Sequence, residues 1–141
     1  MLIGSYKHQL DAKNRIRIPV AFKQQMQGPL VMGCSVNGCI GVYTQQQFEE
    51  IFSKYASTNQ FRADEQKYYT KFFMSLYEVE EDNQGRILVD ASLLKHAEIK
   101  KDVVTVGKFN HLEIWAPERL YGDGDEGLEK TFEFLSKVCE E

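Results

Sequence analysis

Asp11-Ala12-Lys13-Asn14-Arg15 and Asp82-Asn83-Gln84-Gly85-Arg86 share one pattern, D-x-x-x-R, and lie 71 positions apart (82 − 11). Their flanks agree at the same spacing: Tyr6 with Tyr77, Ile16 with Ile87, and Ile18 with Val89. Matched turns in matched apolar settings indicate a duplicated unit. Asn14 takes the place of Gly85, and Asn and Gly are the residue types that most readily adopt the positive φ of a tight hairpin.

Working outward, Arg15-Ile16-Arg17-Ile18 alternates basic and apolar, the period of a half-buried strand with its arginines outward. Pro19 ends that strand, and Val20 to Met26 follow as a short helical turn closed by Gly28-Pro29. Strands are expected at 30–32 and 39–43 around an Asn37-Gly38 turn. The second copy repeats the plan with a strand at 86–89, a short helix at 91–96 capped by Asp90, and strands at 103–106 and 112–115. There Val42 matches Ile114 at a spacing of 72 (114 − 42), one more than at the turns, and copy one is expected to carry one extra residue near its turn.

Thr44 and Gln47 have capping-box spacing. Phe48, Ile51, Phe52 and Tyr55, then Tyr69, Phe72, Phe73 and Leu76, form apolar stripes on two helices that join the copies. After a break at residues 122–125, Leu128, Phe132, Leu135 and Cys139 stripe a last amphipathic helix. Neither copy is large enough to bury a core alone. The expectation is therefore an α+β fold, mainly a β barrel, in which two tandem repeats interleave their hairpins about a pseudo-twofold axis with flanking helices. The expected divisions are 1–58, a connecting helix at 59–76, a second repeat at 77–121, and a C-terminal helix at 122–141.

The 141 residues carry a net charge of −4, but unevenly. Residues 1–27 hold Lys7, Lys13, Arg15, Arg17 and Lys23 against Asp11, a local +4. Residues 78–98 hold six acids against Arg86 and Lys95, a local −4, and the stretch from Glu118 is also acidic. Because charges act over roughly 10 Å at physiological salt, a basic patch on an acidic chain can still attract phosphate. Three cysteines without a C-x-x-C pair point to a reduced, cytosolic protein without a zinc site. No apolar run has membrane-spanning length, and Met1–Gly4 has no signal-peptide character.

Ile3-Gly4-x-Tyr6-x-His8-x-Leu10-Asp11-x-Lys13-x-Arg15-Ile16-x-Ile18-Pro19, with Asp82-x-x-Gly85-Arg86-Ile87-Leu88 and Leu112-Glu113-Ile114-Trp115, resembles the MraZ family over essentially the whole chain. Asp90 stands where the second copy often has Pro, and Asn14 where Gly is common. The resemblance implies two swapped-hairpin modules of the AbrB/SpoVT type. It also implies a non-enzymatic transcriptional regulator that binds repeated boxes in the promoter of its own cell division and cell wall cluster as a ring-shaped homo-oligomer. The implied location is cytoplasmic and nucleoid-associated, without cofactor, membrane or small-molecule substrate.

Lys13, Asn14 and Arg15 suit a β-ribbon groove reader: Arg for guanine, Asn for adenine or phosphate, and Lys for phosphate. The resemblance adds Arg86, and Lys7, Arg17 and Lys23 supply supporting charge. Asp11, Asp82 and Gly85 orient the turns, and an Asp11–Arg15 ion pair that fixes the turn also presents the arginine. Position 88 is Leu where copy one has Arg17, so the first copy is expected to be the nucleic-acid half, with the second turn in an acidic, more apolar setting. Three other readings compete. No nucleophile, base and orienter converge as an enzyme needs, and His8 suits a structural role. Asp123-Gly124-Asp125-Glu126-Gly127 lacks the ligand register of a calcium loop. The aromatic helices suit a non-enzymatic scaffold or an antitoxin-like partner-binding module.

Overall fold

The computed structural model describes residues 1–122 and 127–139. Residues 123–126, which hold all but the last residue of the calcium-like pattern and part of the expected break, lie outside the described residues. The first turn joins β1 (Ser5–Gln9) to β2 (Arg15–Arg17), and the second joins β5 (Tyr77–Val79) to β6 (Arg86–Leu88). Their backbones match bond for bond. The Asp11 N–H donates to the Arg15 carbonyl (2.9 Å) and the Asn14 N–H to the Asp11 carbonyl (3.1 Å); the Asp82 N–H and Gly85 N–H do the same to Arg86 and Asp82 (2.8 and 3.0 Å). Asn14 and Gly85 hold φ of 59° and 74°, the left-handed conformation that their residue types tolerate.

The strands flanking each turn then part company. β1 pairs with β7 (Asp102–Gly107), β2 with β6, and β5 with β3 (Leu30–Cys34). With β4 (Ile40–Thr44) and β8 (Leu112–Trp115), the large sheet runs β1-β7-β8-β4-β3-β5, entirely antiparallel. Exchanging every strand for its counterpart in the other copy leaves that order unchanged. Register obeys the exchange too: Tyr6 faces Thr105 as Tyr77 faces Met32, and Lys7 faces Val104 as Glu78 faces Val31. Ile16 faces Ile87 and Gly41 faces Glu113, so these pairs straddle the internal dyad. The loop at 35–39 is one residue longer than that at 108–111, as expected of copy one, but that alone would lower the spacing. It rises because Leu88 to Val104 spans 16 positions (104 − 88) and Arg17 to Val31 only 14 (31 − 17).

The fold is thus α+β, but the expected closed barrel is an open six-stranded sheet with a separate two-stranded β2–β6 ribbon. No described ladder joins the edge strands β1 and β5. With only three residues each, β2 and β6 satisfy one another in the ribbon and leave both edges of the large sheet open.

Short helices close the core between ribbon and sheet. α1 (Val20–Lys23) buries Phe22, and α4 (Ala91–Ala97) buries Leu93, Leu94 and Ala97. Asp90 caps α4 by accepting from the Ser92 N–H (3.0 Å). These side chains pack with Ile16, Ile87, Met32, Ile40, Leu112 and Ile114 in one cluster. Thr44 and Gln47 form the expected capping box at α2 (Gln45–Ile51). The helix ends sooner than its stripe suggested, giving way to a 3₁₀ turn at Ser53–Ser57 before α3 (Ala63–Met74). Phe48, Phe52, Tyr55, Tyr69, Phe72 and Phe73 pack ring to ring at 4.5–6.3 Å between centroids, with Tyr43 of β4 joining them to the sheet. Neither helix buries a residue fully. α5 (Pro117–Leu120), begun by a proline at its first position, was not legible as a helix; α6 (Glu129–Cys139) is the expected last one.

Ile16→Ala and Ile87→Ala should each lower the unfolding free energy by about 2–5 kcal/mol. Because the two side chains meet across one ladder, the double variant should depart from additivity by at least about 0.5 kcal/mol, measured by urea denaturation.

Candidate nucleic-acid interface

Each turn is built around its aspartate. Asp11 Oδ1 accepts from the backbone N–H groups of Lys13 (2.9 Å) and Arg15 (2.8 Å), and Asp82 Oδ1 accepts from Gln84 (2.8 Å) and Arg86 (2.9 Å). The other oxygen holds the arginine: Arg15 Nε donates to Asp11 Oδ2 at 2.8 Å and Arg86 Nε to Asp82 Oδ2 at 2.9 Å. The backbone N–H of Arg15 is the chief cause that lowers the Asp11 carboxyl below its ordinary range, against the opposing effect of desolvation; Arg86 does the same for Asp82. An aspartate so held fixes the turn and the arginine together.

Interleaving places the two turns side by side. Arg15 Nη1 lies 4.0 Å from Asp82 Oδ2, and Arg86 Nη1 lies 3.9 Å from Asp11 Oδ2. The result is a reciprocal square of two acids and two bases. Arg15 and Arg86 remain 26% and 23% exposed, so each guanidinium keeps an outward face while its Nε is engaged. Neither arginine stands free on an isolated tip. Lys13 and Asn14 do project into solvent beside them.

The supporting cations are placed less evenly. Arg17 is exposed and faces Arg86 across the β2–β6 ladder, whereas Arg15 faces Leu88. Lys23 Nζ is 2.7 Å from Glu81 Oε1, so its charge is largely spent within the chain. Lys7 Nζ sits 5.4 Å from the centroid of Tyr121. Lys7, Arg17 and Lys23 line one cleft with Gln84 and Gly85 of the second turn. The second turn thus keeps its own acid Glu81 and has cations of the first copy beside it. Charge read along the chain assigned those cations to the first turn, but strand exchange carries them to its counterpart. Glu81 and Tyr121 have no motif to announce them; only the exchanged pairing brings them to the site.

A second polar cluster lies at the opposite end of the dyad. Buried Glu113 accepts from Trp115 Nε1 (3.1 Å) and Asn37 Nδ2 (3.2 Å), with Lys108 Nζ at 3.5 Å and His111 Nε2 at 3.7 Å. Burial would raise this carboxyl; hydrogen bonds from His111 and Trp115 and the Lys108 charge outweigh it and bring it to about 2. Nearby Cys39 is pushed up to about 12 by burial and then by the Glu113 charge, which leaves it a protonated, poorly nucleophilic thiol. His8 donates to or accepts from the buried Thr105 hydroxyl at 2.7 Å, a structural tie between β1 and β7.

A family model described as "MraZ protein, putative antitoxin-like" matches residues 1–70 and 72–120. The chain belongs to the MraZ family. The transcriptional regulator MraZ of Thermoanaerobacter pseudethanolicus is 32% identical over 142 residues, covering 100% of this chain and 98% of its own length. Its counterpart in Cytophaga hutchinsonii is 34% identical over 119 residues, covering 82% of this chain and 79% of its own. That of Clostridium tetani is 32% identical over 143 residues, covering 98% and 99%. These MraZ relatives are named as regulators of transcription, not as enzymes. The MraZ match takes in both D-x-x-x-R turns and stops before α6.

The folded carboxyl of Glu113, at about 2, lies below its ordinary 4.5. Its contribution to stability is complete above about pH 4.5 and is lost as pH falls toward 2. Glu113→Gln should flatten that part of the stability profile, removing on the order of 3 kcal/mol of pH dependence in urea titrations. A wild-type profile already flat there would contradict the assignment.

Proposed function

We propose that this member of a family of transcriptional regulators binds double-stranded DNA through its paired turns. Arg15 and Arg86 contact bases or phosphates there, Lys13 and Asn14 flank them, and Lys7 and Arg17 supply phosphate charge. Lys23, tied to Glu81, contributes least. The observation that carries this reading is the reciprocal square. Two guanidinium groups are held in fixed geometry on one surface by carboxylates that bind their backbones and side chains alike. Preorganised arginines lose little entropy on engaging guanine or phosphate.

Two AbrB-type swapped-hairpin repeats, divided near residues 58, 76 and 121, account for the exchanged pairing. One such surface makes few phosphate contacts, so specific affinity calls for several copies on repeated boxes. A ring-shaped homo-oligomer supplies that, acting on the promoter of its own cell division and cell wall genes in the nucleoid. Exposed Phe61 (96%), Tyr68, Met74, Phe132 and Phe134 offer apolar surface for self-association. No described helix is long and apolar enough to cross a membrane. The antitoxin-like description of the family keeps one rival, a module that uses those same aromatic surfaces to bind a protein partner.

Arg15→Ala and Arg86→Ala should each weaken binding to duplex DNA from upstream of the gene by roughly 10- to 100-fold, with thermal unfolding little changed. Mobility shifts at graded salt check this. Wild-type affinity in both folded variants would defeat the site, and salt-independent or absent binding by the wild type would favour the protein-partner reading. Light scattering should give a mass several times the 16.3 kDa chain.

A further inference from the structure

The internal dyad relates two clefts, one on either side of the paired turns, and their chemistry is opposite. The first, of about 740 Å³, is bordered by Tyr6, Lys7 and Arg17. The second, of about 210 Å³, is bordered by Tyr77, Glu78 and Leu88. Ladder register establishes that these are counterparts: Tyr6 and Tyr77, Lys7 and Glu78, Arg17 and Leu88 occupy matching places. Asp90 adds a further acid to the second cleft where the first has Pro19. The backbone keeps two-fold symmetry, whereas the charge does not.

Arg17 stands opposite Arg86 in one ladder; Arg86 is already held by Asp82 and Asp11, whereas Arg17 opens on the first cleft beside Lys7. The matching pair, Leu88 opposite Arg15, carries one charge only. A reader symmetric in charge as well as in fold would accept DNA in either direction, as two-fold proteins accept palindromes. We propose that the unequal clefts give each chain a single polarity on DNA: a backbone phosphate is held between Arg17 and Lys7 in the first cleft, and the matching place beside Glu78 and Leu88 holds none. This inference rests on the DNA-binding reading and adds direction to it. Glu78 and Asp90 repel the strand on their side, so the duplex crosses the turns displaced toward the first cleft.

The test is to exchange the clefts. Lys7, Arg17, Glu78 and Leu88 are all exposed, so substitutions there leave the core untouched. The probe is duplex DNA from upstream of the gene, with hydroxyl-radical footprints on both strands and affinity measured against salt. Lys7→Glu with Arg17→Leu should lose at least tenfold in affinity and flatten the log–log salt slope by about 0.9, one phosphate's worth. Adding Glu78→Lys and Leu88→Arg restores the net charge; this fourfold variant should recover affinity and reverse the strand asymmetry of the footprint. Glu78→Lys alone should steepen the salt slope by about 0.9, an effect readable even if the fourfold variant folds poorly. A fourfold variant with the wild-type asymmetry, or an unchanged slope in Glu78→Lys, would overturn the polarity. A wild type that shows no salt-dependent binding would instead remove the DNA reading beneath it.

Discussion

Ile16 and Ile87 meet across the β2–β6 ladder, buried to 1% and 0% exposure, and the ribbon they close is where the two copies become one molecule. Each copy contributes a single three-residue strand to it, too short to stand without the other. Everything that follows depends on that exchange. β1 must go to β7 and β5 to β3, the helices α1 and α4 cover the core from matching positions, and the two turns are left adjacent at the ribbon's end. Removing either copy would leave strands unpaired and a core open to water.

The same constraint makes the site. Asp11 and Asp82 would each pair with their own arginine in an isolated turn, but adjacency adds the cross contacts of 4.0 and 3.9 Å that bind the turns into one surface. Exposed ion pairs contribute little to stability singly, so the square matters less for holding the fold than for fixing where two guanidinium groups point. The proposed DNA contact at that surface rests on membership of a family of transcriptional regulators together with the square's geometry; the fold alone would not assign it.

Local chemistry was legible in the sequence because it is written in neighbouring residues. The D-x-x-x-R pattern encodes both turns, Asn14 and Gly85 encode their positive φ, Thr44 and Gln47 encode a capping box, and alternation at Arg15–Ile18 encodes a strand. That the two copies must share one core was legible from the smallness of each. What was not legible follows from strand exchange. Nothing local says that Arg17 faces Arg86 or that Lys23 is spent on Glu81. The open sheet was missed for a similar reason, since closure depends on whether β1 and β5 reach one another and no residue pattern records that distance.

The central claim is that both turns form one DNA-binding surface. Hydrogen–deuterium exchange of the full chain with and without duplex DNA from upstream of its gene tests it most directly. The amides of Lys13 and Asn14 and those of Asn83 and Gln84 should gain protection together when DNA is added. Protection confined to one turn, or appearing only on the aromatic helices, would contradict the account.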